Sequence, residues 1–354
     1  MSSVLASLSD NFVYASTAVI ALAMLAHAAE WAFRRERRTS GQVEQTAAVG
    51  GESSTGAATT KAESAAGEES GGGVAVLERE QEPGDGGAGD ESDGGEDVEG
   101  GVDRADLFAR IGVALTILST GLLGIGVLCR GFAAGRVPWS NLYEFSITGS
   151  FVILVVYLVS LRKLRTNFLG LPLTGFVLVL LTVAISVLYV PVTGLIPALQ
   201  SYWLAIHVSA ACLATGIFTL GAVASALQIV KARYERRVAA GGRTSGGYLA
   251  QLPSAQVIDR VAYRLNAFAF PIWTFALIAG AVWAAAAWGR YWGWDPKETW
   301  MFITWVCYAA YLHARSTAGW RTKVSGIALV SYAALVFNLV GVNFFIAGLH
   351  SYAK

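Results

Sequence analysis

The tryptophan-rich segment WGRYWGWDPKETW, residues 288–300, holds four of the chain's 11 Trp and one Tyr. Trp288, Tyr291 and Trp292 would share one face of a helical turn. An aromatic belt at a membrane interface accounts for one or two such rings. Five rings packed among glycines favour a platform for a large, flat, apolar ligand. The candidate platform residues are Trp288, Tyr291, Trp292, Trp294, Asp295 and Trp300.

The same segment also contains a helix start. Asp295 would be the N-cap, Pro296 the first helical residue, and Glu298 the third residue of a capping box. Capping and ligand contact explain Asp295 and Glu298 equally well.

Two of the four histidines, His207 and His350, could bind the iron of such a ligand. A single histidine at the end of a membrane span is more often structural. Two at one depth beside an aromatic platform can supply both axial bonds to a haem iron. Basic residues on the same side of the membrane would pair the haem propionates. The candidates are Arg290, Lys297, Arg136 and Arg130.

The elements that position these residues are membrane helices. The chain is 54% hydrophobic and 14% charged, whereas soluble proteins are about 25% charged. The composition therefore predicts an all-α, polytopic membrane protein. About eight spans of suitable length follow from the hydropathy. They are 12–33, 107–129, 142–161, 168–190, 203–230, 264–287, 300–315 and 324–348.

Charge decides the orientation and excludes one class of partner. Basic clusters follow the first, third, fifth and seventh predicted spans, which places those loops in the cytoplasm and both termini outside. The formal net charge is +1, so nucleic-acid binding is not expected. The three Cys contain no CxxC pair, which indicates neither a disulfide framework nor a thiol relay.

The chain divides into three parts. Residues 1–39 carry the first transmembrane helix. Residues 40–104 are rich in Gly, Ser, Ala, Glu and Asp, and so predict a disordered, acidic cytoplasmic linker. Residues 105–354 would form one domain with seven transmembrane helices.

The remaining histidines lie elsewhere. His313 is about 13 residues into the predicted seventh span, roughly 20 Å from its outer start. Ionisable groups inside a membrane are costly and are usually functional. His27 is near the cytoplasmic end of the first span, where an interfacial polar role is the favoured interpretation.

At this point the motifs resemble a known family. The tryptophan-rich segment is similar to the WWD motif of haem-handling proteins in cytochrome c maturation. Its KETW ending resembles the CcsA family, also called ResC and, in some actinobacteria, CcsB. PWSNLYEF at 138–145 and NFFIAGLHSYA at 343–353 are similar too. The resemblance runs from about Pro138 to the C-terminus.

The resemblance implies a System II cytochrome c synthase subunit in a bacterial plasma membrane. It assigns His207 and His350 as axial ligands of haem b on the extracytoplasmic side, and His313 to haem passage through the membrane. Haem would be joined by thioether bonds to the CxxCH thiols of apocytochrome c. The implied partners are a ResB-type membrane subunit, also named CcsB, and a thiol-reducing thioredoxin-like protein.

Three alternatives stay open from the residues. A haem exporter or chaperone without synthase activity would share the platform and the histidine pair. A small-molecule permease with an aromatic external gate would bind no iron. A structural membrane scaffold would use the aromatic segment only for packing.

Overall fold

The computed structural model describes residues 2–52, 96–192, 201–242, 247–317, 320 and 324–350. Every regular element within these ranges is helical. The helices are α1 (Ser2–Glu52), α2 (Glu96–Ala134), α3 (Leu142–Leu164), α4 (Gly170–Ser186), α5 (Tyr202–Ala239), α6 (Tyr248–Gln251), α7 (Ala255–Trp288), α8 (Pro296–Ser316), α9 (Val324–Val336) and α10 (Val342–Phe345). A 3₁₀ turn, Asn167–Leu169, precedes α4, and a π turn, Phe337–Gly341, joins α9 to α10.

The predicted all-α membrane architecture is confirmed, with one change in the number of spans. In the described residues, seven helices are long and apolar enough to cross a bilayer. The predicted span 300–315 lies within α8, which forms as a helix but is not one of the seven. Its first turn carries Lys297 and Glu298, and its last turn carries His313 and Arg315, so its composition is more polar than that of its neighbours.

Helices α1 and α2 pack along each other through small polar residues. Ser9 Oγ donates to Gly126 O at 2.8 Å, and the hydroxyls of Ser16 and Ser119 are 2.9 Å apart. These hydrogen bonds satisfy polar groups that the surrounding apolar residues cannot.

The predicted linker, 40–104, is shorter in the structure than in the sequence interpretation. Helix α1 continues to Glu52 and α2 begins at Glu96, so the predicted coil at 40–52 and 96–104 is wrong. The sequence QVEQTAA at 42–48 contains good helix formers that prolong α1. Residues 53–95 lie outside the described residues, and their disorder stays a prediction.

Helix α5 lies at the centre of the remaining bundle. It packs along α7 and also contacts α3 and α9. Phe218 of α5 stacks on Tyr308 of α8 with ring centroids 3.7 Å apart, and Trp273 of α7 packs against Phe218 edge-on. This aromatic core fixes α5, α7 and α8 relative to one another.

Local sequence determinants set the helix ends that surround the site. The side chain of Asn141 accepts a hydrogen bond from Glu144 N and so caps α3. Gly289 has a φ of 71° and ends α7 in the left-handed conformation that favours glycine. The end of α7, the starts of α3, α5 and α8, and the π turn meet at one end of the bundle, here called the cavity end.

Candidate functional site

A cavity of about 1070 Å³, counting its open mouth, lies at the cavity end. Its aromatic lining includes Trp139, Trp273, Trp283, Trp288, Tyr291 and Trp292. Its polar lining includes His207, Lys297, Glu298, Asn338, Asn343 and His350.

His207 lies in the second turn of α5, and α7 holds its ring. The Nδ1 atom is 2.8 Å from Ala276 O. A carbonyl only accepts, so Nδ1 carries the proton and Nε2 carries the lone pair. Gly280 leaves room for this ring, because a Cβ atom there would lie 2.8 Å from it. His207 is thereby oriented as a neutral imidazole that could bind a metal through Nε2.

His350, beyond α10, is held by Asp295 at the start of α8. Its Nδ1 lies 2.7 Å from Asp295 Oδ2, and the N–H of Leu349 donates to Asp295 Oδ1 at 2.7 Å. Burial alone would raise the pKa of Asp295, but these hydrogen bonds outweigh it, and that pKa lies below its ordinary value. The carboxylate favours the His350 tautomer with the lone pair on Nε2, as carboxylates do for metal-binding histidines.

One indole contacts both imidazoles. The ring of Trp283 stacks on His207 with centroids 6.0 Å apart and meets His350 edge-on at 5.5 Å. Trp288 also packs edge-on against His350, at 5.0 Å. The structure therefore places both histidines beside the same indole in one cavity, and their role as axial ligands stays a prediction.

The structure brings three of the six predicted platform residues to the cavity. Trp288, Tyr291 and Trp292 line it. Trp294 is 67% exposed, and Trp300 packs instead on Phe337 of the π turn, with centroids 4.3 Å apart. At Trp294, where φ is 57°, the chain turns so that the ring of Trp294 packs edge-on against Trp292, with centroids 5.7 Å apart, without lining the cavity itself.

Asp295 and Glu298 form the predicted capping box at the start of α8. Glu298 Oε2 accepts from the N–H groups of Gly293 and Asp295, at 2.8 and 3.1 Å. Arg290 pairs with the other oxygen of Glu298, at 3.4 Å. Capping and ligand orientation are thus combined in Asp295, which holds both α8 and His350.

Arg130 and Arg136, two candidate propionate contacts, have a protein partner instead. Arg130 Nε lies 3.2 Å from Glu144 Oε1, and Arg136 Nη1 lies 2.7 Å from Glu144 Oε2. Arg130 and Glu144 are both 0% exposed, and Asp10 lies 3.9 Å from Arg130. Neither arginine lines the cavity, so the structure does not place them where they would contact a ligand bound there.

Lys297 lines the cavity, as the sequence suggested for a ligand contact. Burial lowers its pKa to about 8, although Asp295 opposes the shift. The ammonium is therefore still largely charged at neutral pH.

The other two histidines lie far along the helices from the cavity. His313 is on the exposed side of α8, in its last turn. His27 is only 2% exposed, so its ring is buried among the helices, and its interpretation as an interfacial residue stays a prediction. Gly112 of α2 and Gly170 of α4 leave space for its ring, since a Cβ at either would lie within 3 Å of it.

Comparison with known proteins identifies relatives of the part of the chain that builds the cavity. Residues 139–350 match the family described as "Cytochrome C assembly protein". A "Cytochrome c biogenesis protein CcsA" of Porphyra purpurea is 33% identical over 277 residues, which cover 69% of this chain and 87% of the relative. The protein of the same name from Synechococcus sp. (strain JA-3-3Ab) is 31% identical, covering 70% and 87%. That from Gloeobacter violaceus (strain ATCC 29082 / PCC 7421) is 33% identical, covering 70% and 88%.

This chain belongs to the cytochrome c assembly protein family.

The family region and the cavity coincide. The matched interval begins at Trp139 and ends at His350, and these are also the first and last residues that line the cavity. Helices α1 and α2 both lie before that interval. The part of the chain shared with the family is therefore the part that builds the site.

Sequence reasoning missed several cavity residues of this family member. Trp283 and Trp273 lie within the apolar run of α7, where a ring is normally read as core packing. Trp139 precedes α3 in the PWSNLYEF motif. A tryptophan in this motif was the one sequence feature that could have indicated a cavity residue there. Asn338 lies in the π turn, which interrupts the helical periodicity. The spacing of residues in the sequence therefore does not indicate which side of the helix Asn338 faces.

Proposed function

We propose that this chain binds haem b in the cavity through His207 and His350 and presents it for covalent attachment to apocytochrome c. The relatives named for cytochrome c biogenesis and the family match support the coarser role in cytochrome c maturation. The observation that carries the finer proposal is the matched pair of imidazoles. Each lines one cavity, and each donates Nδ1–H to an oxygen of a neighbouring element, which leaves Nε2 as the coordinating nitrogen.

The residues present suit a bis-histidine haem. Neutral imidazoles whose second nitrogen is hydrogen-bonded are the usual protein ligands of iron in such sites. The aromatic rings of Trp283, Trp288 and Trp292 offer apolar faces for a porphyrin through dispersion and stacking. The cavity is partly open to its surroundings, which an unfolded substrate protein would need in order to reach the ligand.

Bound haem would supply two vinyl groups to which cysteine thiols can add. The chain's own contribution is binding and orientation. Asp295 holds the His350 ring in one tautomer, α7 holds His207, and the aromatic residues keep bulk water from the ring faces. The thiols belong to the CxxCH motif of apocytochrome c, and a thioredoxin-like protein would keep them reduced.

The remaining elements of the proposal concern the route and the partners. His313 on the exposed side of α8 would contact haem on its way from the cytoplasmic side. A ResB-type membrane subunit would complete the System II synthase in the bacterial plasma membrane. The cavity end would then face the extracytoplasmic side, with both termini outside, an arrangement that requires α8 to cross the bilayer in addition to the seven apolar helices.

Reconstitution tests the proposal. The chain is co-expressed with a ResB-type subunit and an apocytochrome carrying CxxCH, in a strain without its own maturation system. Covalent haem on the cytochrome that requires both subunits would support the synthase role. Haem in the purified chain without any covalent product would favour an exporter or chaperone, and a chain that binds no haem would favour a permease or a scaffold.

A further inference from the structure

The π turn and Lys297 form one polar cluster on the cavity wall. Lys297 Nζ donates to Asn338 O at 2.7 Å and to Leu339 O at 3.3 Å. Asn343 Nδ2 donates to the same Leu339 O, at 3.0 Å. Lys297, Asn338 and Asn343 all line the cavity, and we call these three residues the π-turn wall.

Two side-chain atoms of this wall lack a partner among the described residues. They are Asn338 Oδ1 and Asn343 Oδ1, in residues only 5% and 3% exposed. Buried polar atoms are nearly always hydrogen-bonded in folded proteins. An ammonium has three donors, and the two carbonyls take two of those of Lys297. Lys297 therefore has one N–H left to donate to a ligand in the cavity, and the two amide oxygens are acceptors whose hydrogen bonds are still unmade.

The other basic candidates are less suited to a carboxylate in the cavity. Arg130 and Arg136 pair with Glu144, and Arg290 pairs with Glu298. None of these three arginines lines the cavity. Trp139 Nε1 is a further cavity atom with no partner in the described part of the chain, but it is a single neutral donor.

We infer that the π-turn wall is the carboxylate-binding subsite of the cavity. Lys297 supplies the charge and Asn338 a neutral amide, and Asn343 supports both through Leu339. An amide can turn by half a rotation to present N–H in place of oxygen, so Asn338 can donate to a carboxylate. The inference rests on the proposed function, since the only ionised substituents of haem are its two propionates.

A comparison of haem with its dimethyl ester tests this subsite directly. The two compounds share the iron and the porphyrin, and only haem carries carboxylates. Equilibrium binding is measured to the full chain in lipid nanodiscs. The wild type should prefer haem by roughly tenfold to a hundredfold, as expected for a charge-assisted hydrogen bond. Lys297→Met should remove most of that preference by weakening haem binding while leaving ester binding unchanged.

Three further variants make the result specific. Lys297→Arg keeps the charge and should restore most of the preference. Asn338→Leu should reduce it in part. Trp139→Phe tests the other unpartnered donor of the cavity while keeping a ring: the affinities for both compounds can change together, but their ratio should equal that of the wild type.

The outcomes separate this inference from the proposed function. Equal weakening of both compounds in Lys297→Met would make Lys297 a clamp for the π turn and overturn the subsite. Loss of the preference for haem in Trp139→Phe would show that a carboxylate binds at Trp139 instead. A wild type that binds both compounds equally with a bis-histidine spectrum overturns the subsite alone. A wild type that binds neither overturns the proposed function as well.

Discussion

His350 donates its Nδ1 proton to Asp295 at 2.7 Å, and the same carboxylate caps α8. The start of α8 therefore fixes the ring of His350, which follows the end of α10 by five residues. Asp295 also accepts the N–H of Leu349, so both the ring and its backbone are held. The tryptophan-rich segment and the C-terminal part of the chain consequently act as one unit at the cavity.

Replacing Asp295 by Asn should weaken haem binding without unfolding α8. Asn is as good an N-cap as Asp, but it lacks the charge that stabilises the His350 tautomer. Loss of such a carboxylate partner typically lowers metal affinity by about 10–100-fold. Haem titration of the purified variant measures the effect. Asp259→Asn is the control, because Asp259 pairs with Arg315 away from the cavity and its loss should not change haem affinity. Unchanged affinity in Asp295→Asn would show that the pair does not orient a ligand.

Glu144→Gln should lower the stability of the whole protein, without a specific effect on the cavity. Glu144 is the shared partner of two buried guanidiniums, Arg130 and Arg136. Breaking a buried ion pair by removing one charge costs about 3–5 kcal/mol. The amount of folded protein in the membrane and its thermal unfolding temperature should both fall. Asp106→Asn removes a pair with Arg34 in which both side chains are exposed, 61% and 46%, so a change of at most about 1 kcal/mol is expected. Equal stability of the two variants would contradict this account of Glu144.

The start of α8 and the joint site of His207 and His350 could be predicted because both depend on local signals. A capping box and the depth of a residue in a span are readable from spacing alone. The ion pairs of Glu144 could not, since the burial of Arg130 depends on the packing of α1, α2 and α3. The burial of His27 likewise depends on two glycines, Gly112 and Gly170, on other helices.

The same distinction applies within the tryptophan-rich segment. Its aromatic composition indicates a platform, but the backbone turn at Trp294 decides which rings reach the cavity. The π turn that brings Asn338 and Asn343 to the wall has no sequence signature, because it is a shift in backbone hydrogen bonding within an apolar helix.

Trp292→Ala should loosen haem while leaving its coordination unchanged. The ring lines the cavity and contributes packing and stacking of about 0.5–1.5 kcal/mol beyond area burial, so haem affinity should fall roughly two- to tenfold. The absorption spectrum of the bound fraction should match the wild type. Trp294→Ala is the control within the same segment, because Trp294 is largely exposed and does not line the cavity. A larger loss in Trp294→Ala would mean that the exposed rings form the platform.

Deleting residues 53–95 should leave cytochrome c maturation largely intact. The segment is rich in Gly, Ser, Glu and Asp, a composition that cannot bury enough apolar surface to form a packed domain. Covalent cytochrome c and the membrane level of the shortened protein are measured together. A variant in which residues 53–95 are replaced by a Gly/Ser segment of the same length controls for the length of chain between α1 and α2. Loss of maturation at a normal protein level, in both variants, would assign the acidic segment a function of its own.

The absorption spectrum of haem bound to the purified protein tests the central claim most directly. The wild type should give a bis-histidine spectrum, whereas His207→Ala and His350→Ala should each lose one axial bond and retain less haem. Added imidazole is small enough to enter the vacated position and should partly restore both the spectrum and haem retention. It should have no such effect on His27→Ala, whose axial ligands are intact. If His207→Ala and His350→Ala both keep the wild-type spectrum, the two histidines are not the ligands and the account of the cavity is wrong.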